Sequence, residues 1–250
     1  PNTAPFISKL LIQQFVTSNP TPAYVRRIAD VFSDVQGGGA DRGNLAKVIR
    51  VILLDPEARG NNKTDPDYGH LKEPVLYATN FLRALDVRGA TRTNPSDGVI
   101  NGLTINLDQD VFNPPSVFNY YPMDYSIPNT SLAAPEFAIM TTGTALKRPN
   151  LINQFIFNAT GTGIAVNAAN GIPFGTSISW ARYQATATTD PTGELLVDTL
   201  NRELLNGSMS PLFRTQMLNA VQAVASSNPS RRTQNALYLV LTSSQYQVQR

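Results

Sequence analysis

The sequence has no cysteine and a single histidine, His70. The first absence excludes disulfides, thiol nucleophiles, thiolate metal sites and iron–sulfur clusters within these 250 residues. The second confines any Ser-His-Asp triad to His70. It also leaves a zinc site one imidazole and otherwise carboxylates, an unusual donor set. Charge is scarce as well. Only 15% of residues are charged, against about 25% in an average soluble domain. With 20 basic and 18 acidic residues the net charge is +2. The sequence pI of about 9.0 therefore reflects near balance, and there is no nucleic-acid footprint. No apolar run approaches the ~18 residues that a membrane-spanning helix needs. Hydrophobic residues still make up 42%, which together with the low charge argues against intrinsic disorder.

Helix starts are legible in what is present. Thr21-Pro22, Asp190-Pro191, Ser210-Pro211 and Asn228-Pro229 each place a capping side chain directly before proline. The side-chain oxygen accepts from an orphan N–H of the first turn, and proline at the first helical position loses no bond. The spacing of Ile7, Leu10, Leu11 and Phe15 predicts a helix over 5–17, closed by Ser18-Asn19-Pro20. A second helix should bury Val25, Ile28, Ala29 and Phe32 and stop at Gly37–Gly39. A third, over 44–54, is apolar on so many sides that it should be largely buried. Leu71, Val75, Ala78, Leu82 and Leu85 form the seam of a fourth over 73–85. A fifth should run from Pro135 to Lys147, broken at Pro149, with a further turn or two over 151–157. Leu196, Leu200 and Leu204 mark the next, closed by Asn206-Gly207. Phe213, Met217, Ala220, Val221 and Val224 stripe another, and Ala236, Leu237, Val240 and Leu241 a last one before a polar tail.

Two stretches lose helical period. Within 87–130, Asn101-Gly102 between Val99-Ile100 and Leu103–Ile105 suggests a short hairpin. Residues 158–189 hold four glycines and suggest a β-hairpin excursion or a functional loop. No composition shift marks a linker. The expected architecture is one mostly α domain over 1–250, of about eight helices, with irregular or short β-hairpin excursions near 87–130 and 158–189.

Several blocks in order carry a likeness. They are Pro1-Asn2-Thr3-Ala4-Pro5-Phe6-Ile7, Ile52-Leu53-Leu54-Asp55-Pro56-Glu57-Ala58-Arg59, Lys72-Glu73-Pro74, Pro115–Tyr125 with its run of aromatics, Ala134-Pro135-Glu136-Phe137 and Tyr238–Gln247. Together they resemble the bacterial family catalogued as domain of unknown function 1800. Ser244 and Gln245 stand where the family's terminal motif has proline and an acid. The resemblance implies that a family histidine precedes Pro1, so the chain is expected to be the C-terminal part of a longer protein. It also implies bacterial origin, export in many members, and neighbours resembling sulfatases and phosphatases. It transfers no catalytic residue.

Candidate sites come from residue type and spacing. Asp65, Asp67, His70 and Glu73 supply oxygens and one imidazole that could hold a divalent cation. The simpler reading is a solvated turn with Glu73 favourably placed in a first helical turn. No other cofactor is expected. Tyr120, Tyr121 and Tyr125 could meet a sugar or peptide with face and hydroxyl, or plug the core beneath their loop. Trp180 and Arg182 could line a groove, Arg182 clamping an anion, or anchor their own loop. Asp124 and Glu136 could act as acid and base in two-carboxylate hydrolysis, while Glu136 beside Pro135 also suits a helix start. Arg26-Arg27 and Arg231-Arg232 suit solvated helix faces.

The expected function is a non-catalytic, extracytoplasmic helical module, periplasmic or secreted, that binds or scaffolds a partner. The high Asn and Thr content with few Glu and Lys leans towards export. The partner implied by the resemblance is a sulfatase- or phosphatase-like exported protein, with a polysaccharide as a further ligand. One alternative is a hydrolase of carbohydrate or of sulfated or phosphorylated polymers. Another is a C-terminal half that completes an active site lying in residues before Pro1.

Overall fold

A computed structural model describes residues 2–60, 65, 67–89, 93–96, 98, 101–157, 165–166 and 176–250. The chain is mostly helical and divides into two compact units, each assembled from separated stretches. The first comprises residues 1–71, 118–138 and 248–250, the second residues 72–117 and 139–247.

The first unit holds α1 (Thr3–Phe15), α2 (Pro22–Ser33), α3 (Leu45–Leu54), the short α4 (Pro56–Arg59) and β1 (His70–Leu71). Its core is Ile12, Val16, Tyr24, Ile28, Val48 and Ile52. Thr21 caps α2 as expected, its hydroxyl accepting from Tyr24 N at 3.1 Å. Asn44 caps α3 through Lys47 N. Asp55 caps α4, accepting from Glu57 N at 2.8 Å, while Arg27 grips the same carboxylate at 2.7 and 2.8 Å. Burial works against the ionised carboxylate, but these hydrogen bonds prevail and hold Asp55 below the usual carboxylate range.

Two expectations for this unit are corrected. The buried face of α1 is Ala4, Ser8, Ile12 and Gln13, whereas Phe15 is 38% exposed. Gln13 turns inward because two carbonyls need a donor there: its amide reaches Ser18 O at 3.0 Å and Met123 O at 3.3 Å. On α3 only Val48 and Ile52 are buried, and Leu45, Leu53 and Leu54 face outward. One stripe suffices to pack a helix on a small unit, so the rest of an all-round apolar helix stays uncovered.

The second unit contains α5 (Pro74–Ala84), α6 (Asn101–Thr104), α7 (Thr142–Phe157), β2 (Ala165–Val166), β3 (Thr176–Ser177) and α8 (Ala181–Thr189). It continues through α9 (Glu194–Leu204), α10 (Pro211–Gln222), α11 (Pro229–Thr242) and α12 (Ser244–Gln247). Its core gathers Tyr77, Phe81, Phe155, Trp180, Leu200, Met217, Leu237 and Tyr246 among others. Edge-on ring contacts link Tyr246, Tyr77, Phe81 and Phe155 at 5.2–5.9 Å between centroids. Ser210 and Asn228 cap α10 and α11 as their sequences predict. Asp190-Pro191 is different. It opens a turn, and Asp190 reaches ahead to Leu195 N at 2.8 Å and Thr192 N at 2.9 Å, so that α9 begins only at Glu194.

The two excursions part ways: the short hairpin expected at Asn101-Gly102 is absent, whereas the β excursion expected within 158–189 is there as an antiparallel pair. Asn101-Gly102 lies in α6, continued by a 3-10 turn at Ile105–Leu107, and is no hairpin turn; Val99 and Ile100 fall outside the described residues. Over 158–189, β2 pairs antiparallel with β3, and α8 occupies the end of a stretch with no apolar period. Its threonines turn their hydroxyls to carbonyls one turn back: Thr186, Thr188 and Thr189 each make such a bond. Residues 135–139 form a 3-10 turn, and α7 begins at Thr142 and runs through Pro149 to Phe157. Arg232, expected on a solvated face, is 5% exposed and donates to Val224 O and Pro191 O.

Candidate functional site

The first unit closes through the far end of the chain. The expected polar tail returns as β4 (Val248–Gln249), antiparallel to β1 with His70 opposite Gln249. Gly69 makes this approach possible. Its φ is +104°, and an added Cβ would collide with the Gln249 carbonyl. Gly69 N donates to Thr17 Oγ1 at 3.0 Å, and Ser18 N donates to Gly69 O at 3.0 Å. The end of α1, β1 and β4 are thus bound to one another just before His70.

A second support comes from residues 125–134. Ile127 N bonds Leu132 O at 3.0 Å and Ala134 N bonds Tyr125 O at 2.8 Å, forming a narrow loop. Asn19 holds it by pairing both ways with Ala133, amide to carbonyl at 3.0 Å and backbone N–H to Oδ1 at 2.8 Å. The chain then enters the 3-10 turn that carries Glu136.

His70 and Glu136 meet here. His70 Nδ1 lies 3.3 Å from Glu136 Oε1, with side chains 2% and 5% exposed. The contact orients the ring: an ionised Glu136 accepts from Nδ1–H, which leaves the Nε2 lone pair for another group. Both remaining heteroatoms, His70 Nε2 and Glu136 Oε2, are buried and have no hydrogen-bond partner among the described residues. A buried polar atom left unpaired costs roughly 1–3 kcal/mol, so two at one pair are a strong departure from ordinary packing. A cavity of about 220 Å³ adjoins His70. Ser18, Asn19, Asp67 and Tyr68 give it polar walls, and Ile127, Leu132 and Phe137 apolar ones.

The sequence placed His70 and Glu136 in different candidate sets, and the fold unites them. Glu136 therefore has the imidazole as its partner, while Asp124 is exposed. Among the described residues no group of three or more His, Asp or Glu is disposed to hold a metal ion. Asp65 instead accepts from Asp67 N at 2.9 Å in a local turn, and Glu73 accepts from Gln109 Nε2 at 2.6 Å. Tyr121 is buried, whereas Tyr120 and Tyr125 are half-buried. In the second unit, Trp180 has no exposed surface and sits in the core, so it anchors its loop. Arg182 pairs with Glu203 at 2.7 Å and lies over the Tyr183 ring.

One buried feature of the second unit had no place among the candidate sites. Lys72 and Arg148 are 8% and 2% exposed. The Lys72 ammonium sits 3.8 Å from the Tyr246 ring centre, and the Arg148 guanidinium 5.0 Å from that of Tyr77. Arg148 also donates to Lys72 O at 3.0 Å. Lone basic residues in sequence are usually exposed, so nothing short of the fold marks these two as interior.

The family model DUF1800, described as a protein of unknown function, matches residues 1–248. No curated protein and no solved structure matches the chain.

Proposed function

We propose, from the premise that this chain belongs to the DUF1800 family, that it is a helical binding module whose ligand seat is the cavity beside His70. The observation that carries this is the buried His70–Glu136 pair with Nε2 and Oε2 both unpartnered. Each is an acceptor when His70 is neutral; both lie beneath the cavity wall, which His70 lines and Glu136 does not, so a ligand that presents donors reaches them only as the ring turns toward the cavity. Hydroxyl groups of a carbohydrate suit this, with Asp67 and the half-polar walls taking further hydroxyls. The polysaccharide ligand expected from the sequence fits this chemistry. The extracytoplasmic location belongs to the same proposal, supported by the Asn- and Thr-rich, weakly charged composition.

The same pair favours one second reading. An imidazole oriented by a carboxylate is the arrangement of a general base. In a hydrolase, His70 Nε2 would take a proton from the attacking water and pass it to the departing oxygen as the scissile bond breaks, while Glu136 holds the ring and stabilises the imidazolium. This hydrolase rests on His70 and Glu136 and does not need Asp124.

His70 is the only histidine, so its ring is a clean spectroscopic probe. Titrating neutral and sulfated oligosaccharides into labelled protein is expected to shift the His70 imidazole resonances in a saturable way. His70→Ala and Glu136→Gln should abolish binding with the helical spectrum unchanged. Resonances that stay put at saturating sugar would sink the binding reading. Release of reducing ends by the wild type, lost in His70→Ala, would select the hydrolase.

A further inference from the structure

A second cavity, of about 450 Å³, lies between α1 and α2 of the first unit. Its floor and walls are apolar and stiff. Pro5, Pro20 and Pro22 present rings with no N–H to satisfy, and Val25 and Ala29 complete the surface. Pro22 is locked at the start of α2 by the Thr21 cap, so the groove needs little ordering before it binds. Two cations flank it, Lys9 from α1 and Arg26 from α2. Both are exposed, and neither makes an ion pair among the described residues. No lining residue is acidic. The contrast with Arg27 is informative, since that neighbour is fully engaged by Asp55 and Glu57. The chain as a whole is almost balanced in charge, so this one-signed rim is a local property.

We infer that the α1–α2 groove binds an acidic peptide segment of a partner protein. An apolar side chain enters between the three prolines and Val25, and flanking Asp or Glu carboxylates meet Lys9 on one wall and Arg26 on the other. Composition matches this occupant: an apolar lining with a cation on each wall and no acidic residue is complementary to an apolar anchor between carboxylates, and about 450 Å³ gives the anchor room. Opposite charge on both sides of the anchor would set orientation and speed encounter. The inference is independent of the His70 cavity and stands or falls separately from it.

The test uses the full chain and a labelled synthetic peptide that alternates Asp and Glu with Leu and Phe, measured by fluorescence anisotropy. The wild type is expected to bind it, and more weakly as salt rises. Lys9→Glu with Arg26→Glu should weaken binding by about tenfold or more. The charge-reversed variant should instead bind a peptide in which Lys replaces every Asp and Glu, which a misfolded variant would not do. Val25→Asp should abolish binding of the acidic peptide. Equal binding of the acidic and basic peptides by the wild type overturns the proposal, as does no binding up to about 1 mM or indifference to charge reversal. Saturable binding of dodecanoate without the peptide would also overturn it, by making the groove a site for a free amphipathic carboxylate.

Discussion

Lys72 is an ammonium at 8% exposure whose nearest charge-accommodating group is the face of Tyr246. Burial pushes its pKa down to about 8 from 10.5. The sign of its effect on stability follows from proton counting. Between pH 8 and 10.5 the unfolded chain binds a proton that the folded chain has released, so stability rises with pH across that window. Below about 8 the folded state carries the full desolvation penalty. Lys72→Met keeps the stem and places a polarizable sulfur near the ring. It is expected to raise stability at neutral pH by roughly 1–3 kcal/mol and to flatten the rise between pH 8 and 10.5. Urea unfolding at a series of pH values measures both effects, and an unchanged slope in the variant would show that Lys72 does not titrate with folding. Arg148, also lowered by burial, remains charged at every accessible pH, so it adds no such slope. Single residues were the least legible scale in the sequence. His70 and Glu136 are 66 positions apart, and neither the spacing nor the type of either residue could announce the other.

At the scale of elements, local chemistry governed where helices begin. Thr21, Asn44, Ser210 and Asn228 all cap as their side chains allow. Thr21 does more than cap, because its hydroxyl also donates to Glu57 at 2.6 Å and its N–H to the same carboxylate at 3.0 Å. Thr21→Ala is therefore expected to cost about 1–2 kcal/mol, and Thr21→Ser to recover most of it. Chemical denaturation of the two variants checks this, and equal stability of Ala and wild type would remove the cap from the account. Elements went unread where tertiary context overrode propensity. α7 passes through Pro149 because the rest of the helix is fastened on both sides, with Arg148 and Ile152 buried. α8 is threonine-rich and uncapped at its start, yet Tyr183 and Ala187 are buried and hold it. Local rules reward a capped, periodic segment, and they miss one whose stability comes mainly from what it packs against.

The whole molecule adds what no segment contains. Each unit is built from stretches far apart in the chain, and β4 joins the first unit only after the chain has traversed the second. Removing residues 248–250 should therefore loosen β1 and His70 while sparing the core around Trp180. The expected loss is about 1–2 kcal/mol, the worth of the backbone bonds removed. It should appear as faster hydrogen exchange at Gly69–Leu71 and an altered His70 imidazole resonance. Unchanged exchange there would mean that β4 does not hold the site. The sequence by itself determined that the protein is helical, where most helices start, which family it belongs to, and that these 250 residues contain no thiol. All of these depend on residue type and short-range spacing. Tertiary structure decided that His70 faces Glu136, that Lys72 and Arg148 are interior, and that Arg26 and Lys9 flank a groove. Those are contacts between residues distant in the chain, and their energies arise only once burial has removed the water that would otherwise satisfy each group.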